Sequence, residues 1–298
     1  MYKDLLKLLP AASVSFDEPM SNHTTFKIGG PADVLVTPHS IYELTTTLEY
    51  CLARQVPWMV IGAGSNLLVR DKGIRGVVIQ ISQLNSIQIY DEQVYAEAGA
   101  RLSEVANTAA AFNLTGLEFA EGIPGSLGGA VVMNAGAYDG EMADVLLEVE
   151  AIGPSGERKT FRPNQMNLGY RQSIFQHNTY IVVAARLGLK TGEEQDIIAK
   201  MKDYSDRRWE KQPLEYPSAG SVFRRPPGHF VGPMIEALGL KGYSIGGAQV
   251  SAKHAGFIIN TGGATAGDVL QLIATVQEKV ADHYGIHLHT EIRIVGEP

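Results

Sequence analysis

Two glycine-rich stretches of the chain combine residue types that could hold a flat or anionic ligand. The first, Gly62 to Asn66, directly follows the apolar run Trp58 to Ile61, so a strand leads into a turn with few Cβ atoms. Its successive backbone N–H groups and small polar side chains suit a diphosphate. Leu67 occupies the third glycine position of the G-x-G-x-x-G fingerprint, which excludes a Rossmann dinucleotide site. Taken alone, the stretch is equally well explained as an ordinary turn.

The second stretch, Glu121 to Gly129, is a more specific signal. It contains four glycines and one proline in nine residues. Because glycine has no Cβ, a ligand can lie directly against such a backbone segment. The sequence therefore indicates a second ligand-contacting loop.

The order and spacing of these two stretches, with Asn22 to Phe26 before them, resemble the FAD-binding half of the UDP-N-acetylenolpyruvoylglucosamine reductase family. Three later segments are similar to the catalytic segments of that family and occur in its order: Gly169 to Ser173, Tyr216 to Pro226 and His289 to Arg293. The resemblance covers roughly residues 20 to 295. The length, and the short Asn178 to Val183 segment, resemble the shorter type of the family, which lacks a substrate-covering loop.

The resemblance implies a fold and a reaction. The fold is α+β, a three-unit flavoprotein of the FAD-linked oxidase (PCMH-type) architecture with a C-terminal α+β substrate domain. The reaction is reduction of UDP-N-acetylglucosamine enolpyruvate to UDP-N-acetylmuramate for peptidoglycan, with NADPH as the electron donor and non-covalently bound FAD. The implied FAD-binding residues are Gly62, Ala63, Gly64, Ser65, Asn66, Leu67, Gly122, Ile123, Pro124, Gly125, Ser126, Gly128 and Gly129.

The resemblance also implies three catalytic residues, and each has a physical rationale. Arg171 would stabilise the enediolate that develops on the substrate carboxylate, because its planar fork matches a carboxylate. Ser221 would protonate the enolate carbon as a general acid. Glu291 would orient the enediolate or assist its protonation. The alternatives are a surface ion pair for Arg171, a turn serine for Ser221 and simple pairing of Glu291 with Arg293.

The UDP diphosphate needs cations, which Lys211, Arg224, Arg225 and Lys253 could supply. By resemblance, Arg225 matches a substrate-contacting position, Lys211 matches one more loosely, and His254 lies on the substrate side. Tyr170 is the remaining implied substrate contact. A lone histidine before an apolar strand is more often structural.

Local patterns predict the elements that position these residues. Ser40-x-x-Glu43 predicts a capped helix to about residue 54, and Thr191-x-x-Glu194 predicts another to about residue 210. Asp91 and Pro154 to Gly156 predict hairpin turns, and Leu288 to Val295 predicts a closing strand. An apolar stripe predicts the last helix: Val269, Leu272, Ile273, Val276 and Val280.

These elements suggest three domains, which combine local signals with the resemblance. We expect an N-terminal FAD-binding subdomain over residues 1–76, joined by residues 286–298. A central FAD-binding subdomain follows over residues 77–206, and a substrate-binding domain over residues 207–285.

Composition limits the possible partners and compartments. The formal charge of −7 disfavours nucleic acid and anionic membranes, which the average surface would repel. The single cysteine, Cys51, excludes an internal disulfide, and no apolar run is long enough to span a membrane. We therefore expect a cytoplasmic protein without membrane insertion, and a monomer. His287 and His289 share a strand face, but without a third ligand we expect no metal site.

Two other functions remain open from the sequence. An FAD-linked sugar or alcohol oxidase would share the implied architecture. Many such oxidases tether the flavin through a histidine in the first glycine loop, where this chain has Ser65 and Asn66. A nucleotide-sugar binding protein without catalysis is the second alternative, and it would be colourless and would not consume NADPH.

Overall fold

The computed structural model describes residues 2–138 and 140–298. Its α-helices are α1 (Ile41–Arg54), α2 (Leu102–Ala111), α3 (Leu127–Met133), α4 (Glu194–Lys211), α5 (Val231–Ala237) and α6 (Ala266–Tyr284). Its strands are β1 (Val14–Pro19), β2 (Pro31–Val36), β3 (Trp58–Ile61), β4 (Leu67–Val69), β5 (Ile74–Gln80), β6 (Ile87–Tyr90), β7 (Gln93–Glu97), β8 (Leu114–Thr115), β9 (Gly136–Ala137), β10 (Gly140–Glu141), β11 (Leu146–Ile152), β12 (Arg158–Phe161), β13 (Ile181–Gly188), β14 (Lys190–Thr191), β15 (Ser218–Ser221), β16 (Ser244–Ile245), β17 (Ala248–Val250), β18 (Phe257–Asn260) and β19 (Arg293–Val295). The mixture of helices and strands confirms the α+β class. None of the described helices combines the length and the apolar composition that crossing a bilayer requires.

The chain divides into two compact units. Unit 1 comprises residues 1–16, 34–63 and 76–207, and unit 2 comprises residues 17–33, 64–75 and 208–298. The chain therefore passes between units within β1, β2, β5 and α4, and also inside the first glycine loop. The three-part division into FAD-binding and substrate-binding domains stays a prediction.

Unit 1 is organised around a five-stranded antiparallel sheet. The strand order is β12-β11-β13-β7-β6, and α3 packs against β13 and β7. β13 is the central strand, and most of its residues are buried, as expected where both neighbours are occupied. Strands β1, β2, β5 and β3 form a further four-stranded sheet, in which β3 and β5 run parallel.

Local signals predicted several elements of unit 1 correctly. The Ser40 hydroxyl accepts a hydrogen bond from the Glu43 amide and caps α1. Strands β6 and β7 form a two-residue hairpin in which Asp91 has a φ of 50°, a conformation that aspartate tolerates better than most residues.

The cap predicted at Thr191 is wrong. Helix α4 begins at Glu194, whereas Thr191 lies in β14 and its hydroxyl donates to Glu92. Because the backbone of Thr191 pairs with β8, its side chain cannot cap the helix.

Unit 2 has its own core. Its sheet has the order β15-β18-β17-β16, and α6 packs against β16 and β17. The predicted stripe of α6 is confirmed, since all five of its apolar residues are buried.

The closing strand predicted over Leu288 to Val295 is shorter than expected. Only β19, Arg293–Val295, is a strand, and it pairs in parallel with β4. The preceding residues pair elsewhere, because the Glu291 amide donates to the Val222 carbonyl and the Arg224 amide donates to the His289 carbonyl.

The buried thiol of Cys51 gives a direct test of the unit 1 core. Cys51 on α1 is 1% exposed, and burial raises its pKa to about 11. Because only the thiolate reacts, we expect no reaction of the native protein with a thiol-specific disulfide reagent at pH 8. In denaturant, one equivalent per chain should react, since the sequence has one cysteine. Native protein that reacts as fast as unfolded protein would contradict this packing.

Candidate active site

The second glycine loop is held by backbone hydrogen bonds of unit 1. The Leu127 amide donates to Ala100 O and the Gly128 amide to Ala98 O, both at 2.8 Å. A Cβ on Gly128 would lie 2.8 Å from Ala98 Cβ, so close packing already requires a glycine there. Gly122 and Gly125 have φ values of 70° and 140°, which favour glycine for conformational reasons.

Ser126 joins this loop to helix α3. It is 4% exposed, and its hydroxyl accepts a hydrogen bond from the Gly129 amide as the N-cap of α3. A Cβ on Gly62 would lie 2.1 Å from the same hydroxyl oxygen. The unit 1 part of the first glycine loop, Gly62 and Ala63, therefore approaches the second loop where Gly62 lacks a side chain.

The rest of the first loop belongs to unit 2. The Thr25 amide donates to Gly64 O, and a Cβ on Gly64 would lie 2.1 Å from His23 O, so the Asn22 to Phe26 segment lies against this glycine. The Asn66 side-chain amide donates to Glu291 O at 3.2 Å, and Leu67 pairs with Arg293.

The residue types of the two loops fit FAD. Residues 62–67 and 122–129 contain no charged side chain, in a chain with a formal charge of −7. Backbone amides and small side chains of these residues can therefore approach a diphosphate, and the one carboxylate of the two stretches is that of Glu121, the first residue of the second. Among the described residues, no group of three or more histidine, cysteine or acidic side chains could share a metal ion.

Arg171 lies in a tight turn of unit 1. Gly169 and Gln172 exchange two backbone hydrogen bonds, at 3.1 and 3.0 Å, so Tyr170 and Arg171 form a two-residue turn. The φ of Arg171 is +54°, which is unfavourable for a residue with a Cβ. Its guanidinium donates to Gly136 O at 3.2 Å and lies 5.1 Å from the ring centroid of Tyr170, which is exposed.

Unit 2 brings Ser221 and Glu291 onto adjacent backbone segments. The Glu291 amide donates to the carbonyl of Val222, the residue after Ser221, at 2.7 Å. Ser221 ends β15, where Ser218 pairs with Ile259 and Ser221 with Phe257, so two residues of β15 oppose one of β18. Such a bulge redirects the side chains beside it. A Cβ on the intervening Gly220 would have no atom within 4 Å, so the space before Ser221 is open.

The implied substrate residues are found in different settings. The Arg225 guanidinium lies 3.7 Å from the ring centroid of Phe230, and its Nε donates to His229 O. Lys211 is exposed at the end of α4. Lys253 forms an ion pair with Glu215 at 3.6 Å.

His254 is partly buried and locally ordered. Its Nδ1 accepts a hydrogen bond from the Gly256 amide, so Nε2 carries the proton of the neutral ring. Burial lowers the pKa of His254 below its ordinary value. The ring is therefore neutral at pH 7 and available as a hydrogen-bond donor rather than as a cation.

Sequence reasoning missed two side chains that contact the Arg171 turn. Asn134, which is fully buried, donates to Gly169 O, and Gln176 donates to Arg171 O. No local pattern distinguishes them from ordinary polar residues, because their partners lie 35 and five residues away in the chain.

Comparison with known protein families gives two matches within the chain. Residues 32–162 match the model described as an FAD binding domain. Residues 212–295 match the model described as the C-terminal domain of UDP-N-acetylenolpyruvoylglucosamine reductase.

Individual proteins extend this similarity to the whole chain. The UDP-N-acetylenolpyruvoylglucosamine reductase of Syntrophomonas wolfei is 57% identical over 100% of both chains. That of Clostridium botulinum strain Hall is 52% identical over 96% of this chain and 93% of its own. A crystal structure of the corresponding reductase of Thermus caldophilus has a TM-score of 0.81 at 35% identity, covering 94% of this chain and 97% of that one. The grass pollen allergen Phl p 4, with glucose dehydrogenase activity, shares only the fold, with a TM-score of 0.51 at 12% identity over 64% of this chain and 44% of that one.

Because Gly62 lies so close to Ser126, adding one methyl group at position 62 should weaken flavin binding. We expect Gly62→Ala to bind FAD about tenfold more weakly, because overpacking of this kind costs about 1–3 kcal/mol. The measurement is the Kd for FAD of the deflavinated protein, with flavin absorbance per chain after gel filtration beside it.

A compensating substitution provides the control. Ser126→Gly removes the obstructing hydroxyl and Cβ, and glycine at an N-cap costs only a few tenths of a kcal/mol relative to serine. Because the Ser126 side chain is itself an implied FAD contact, the double variant is compared with Ser126→Gly, and Gly62→Ala should weaken FAD binding much less in that background. A Gly62→Ala protein with the wild-type Kd for FAD, or an equal effect of Gly62→Ala in both backgrounds, would show that this contact does not shape the flavin site.

Proposed function

The chain belongs to the UDP-N-acetylenolpyruvoylglucosamine reductase family, and we propose that it reduces UDP-N-acetylglucosamine enolpyruvate to UDP-N-acetylmuramate with electrons from NADPH. It is an oxidoreductase with an FAD-binding domain. The observation that carries the detailed proposal is the hydrogen bond between the Glu291 amide and Val222 O, which supports joint action of Ser221 and Glu291.

The two glycine loops would hold the flavin non-covalently. We assign the diphosphate to backbone amides and small side chains of residues 62–67 and 122–129, in keeping with their lack of charge. When bound, the reduced flavin supplies a hydride to the alkene carbon distal to the ether oxygen. The protein must then stabilise the resulting carboxylate-centred charge and deliver a proton to the adjacent carbon.

Arg171 would stabilise that charge. Its guanidinium stays cationic at any working pH and can bind both oxygens of a carboxylate. The presence of an arginine at a φ of +54° supports a functional reason for this side chain, because strained backbone positions cluster at functional sites. The hydrogen bond to Gly136 O would keep the guanidinium oriented.

Ser221 would donate the proton to carbon. The bulge in β15 and the open space beside Gly220 let a substrate approach the Ser221 hydroxyl. Serine is a weak acid, so its proton must be replaced by a relay or its ionisation must be assisted. Glu291 on the adjacent segment is our candidate for orienting the enediolate or assisting this transfer.

The substrate contacts and setting follow from the family. Lys211, Arg225, His254 and Tyr170 would contact the UDP-sugar, with Arg225 as a cation for the diphosphate. The product would enter peptidoglycan synthesis in the cytoplasm.

The comparisons bear differently on the two alternatives, the sugar oxidase and the nucleotide-sugar binding protein. The likeness to Phl p 4 concerns the fold alone, so it gives no support to a sugar oxidase. A nucleotide-sugar binding protein would carry no flavin, whereas residues 32–162 match an FAD binding domain.

Anaerobic spectroscopy tests the proposed function. We expect a yellow protein whose flavin is released by acid, is bleached by NADPH and recovers its colour when the enolpyruvyl UDP-sugar is added. A flavin that is reoxidised by oxygen and a simple sugar, but not by the UDP-sugar, would favour the oxidase. A colourless protein would favour the binding module.

Replacement of Ser221 by alanine tests the proton-donor role. Bleaching by NADPH should be unchanged, while reoxidation by the UDP-sugar should slow by about 10²- to 10⁴-fold, the typical value of a positioned general acid. Ser244→Ala, an exposed serine on β16 of the same sheet, is the matched control and should behave like the wild type. Normal rates of both half-reactions in Ser221→Ala would refute the assignment.

A further inference from the structure

Helix α3 connects the second glycine loop to the Arg171 turn. The helix begins after Ser126 and ends at Asn134, which adopts the left-handed conformation with a φ of 41°. Seven helical residues span about 10 Å at 1.5 Å per residue. The helix therefore fixes the distance between the second glycine loop at its start and the residues bonded to its end.

Side chains from the segment after Arg171 are bonded to that end. The last carbonyls of a helix have no partner within the helix. The Asn134 and Ala135 amides donate to the carbonyls of Val131 and Ala130, and Val132 O accepts hydrogen bonds from the Ser173 hydroxyl at 2.7 Å and from Gln176 Nε2 at 2.9 Å.

Gln176 also contacts the backbone of Arg171 itself. Its Nε2 donates to Arg171 O at 2.9 Å, so one amide group joins the Arg171 turn to helix α3. Asn134 holds the other side of the turn, since its Nδ2 donates to Gly169 O at 3.1 Å while its Oδ1 accepts from the Ala143 amide.

These bonds offset an unfavourable conformation. Arg171 has a φ of +54°, which a free loop would avoid. Hydrogen bonds to the carbonyls of Gly169 and Arg171 fix the peptide groups on both sides of the turn. The direction in which the Arg171 side chain leaves the backbone is fixed as a result.

We propose that Gln176 is a positioning residue for the reduction, and that it acts by holding the Arg171 turn against the end of α3. This inference rests on the proposed function, in which Arg171 stabilises the charge on the substrate carboxylate. In this role Gln176 acts through the backbone of Arg171 and of α3, the groups to which its amide donates. Its loss should therefore affect only the half-reaction that uses Arg171.

Two variants separate the hydrogen bonds from the shape of the side chain. Gln176→Leu removes the amide at similar volume, and Gln176→Glu keeps the shape but replaces the N–H donors. Gln195→Leu, an exposed glutamine near the start of α4, is the matched control. Flavin content and the rate of bleaching by NADPH report whether each variant is folded and binds its cofactors.

The decisive measurement is reoxidation of dithionite-reduced enzyme by the enolpyruvyl UDP-sugar. We expect both Gln176 variants to slow this step by about 10- to 100-fold, since a small misplacement of a catalytic group can cost 10²-fold. Bleaching by NADPH should stay normal, and Gln195→Leu should match the wild type. Normal reoxidation in both Gln176 variants, or a failure of both to bind flavin, would overturn the proposal, the latter by showing a purely structural role.

A double-mutant cycle tests whether Gln176 acts through Arg171. In an Arg171→Ala background, Gln176→Leu should cause no further slowing, because the side chain that it positions is gone. Additive losses would overturn the proposal. The proposed role of Arg171 has its own test. It is refuted if the flavin of the Arg171→Ala variant alone is reoxidised by the UDP-sugar at the normal rate.

Discussion

The need of a short helix to bond its terminal backbone groups organises the unit 1 part of the site. The ends of α3, like those of any helix, leave backbone groups without partners inside the helix, and both backbone groups and side chains bond them. At its start the Ser126 hydroxyl accepts from Gly129, and at its end Ser173 and Gln176 donate to Val132 O. The first bond lies in the predicted flavin loop, and the second lies beside the Arg171 turn. A general rule of helix ends therefore couples two stretches of sequence that are assigned different tasks.

In unit 2, irregular strand pairing places the Ser221 and Glu291 segments side by side. A bulge in β15 redirects the chain before Ser221, and the Glu291 segment pairs with Val222 before the chain enters β19. Asn66 then bonds the Glu291 carbonyl from the first glycine loop. Regular pairing throughout would have produced a longer closing strand, so the placement of Glu291 beside Val222 depends on where the ladder is interrupted.

Local sequence patterns correctly predicted features that depend on interactions between residues close together in the chain. The Ser40 cap, the Asp91 hairpin and the apolar face of α6 depend on neighbours within a few residues, and all were predicted correctly. The family and its FAD-binding domain were recognised because the glycine loops and the three segments similar to the family's catalytic segments keep their order. Thr191 was misassigned because strand pairing with a distant segment outcompeted a local cap. Asn134 and Gln176 were missed because their importance comes from tertiary partners that no spacing rule reveals.

The burial of Cys51 makes the protein convenient for site-specific labelling. With its single native sulfhydryl enclosed by the unit 1 core, a cysteine introduced at an exposed position would be the sole accessible attachment point for a fluorophore or spin probe. Conformational changes during turnover could then be followed at chosen loops without first deleting the natural residue.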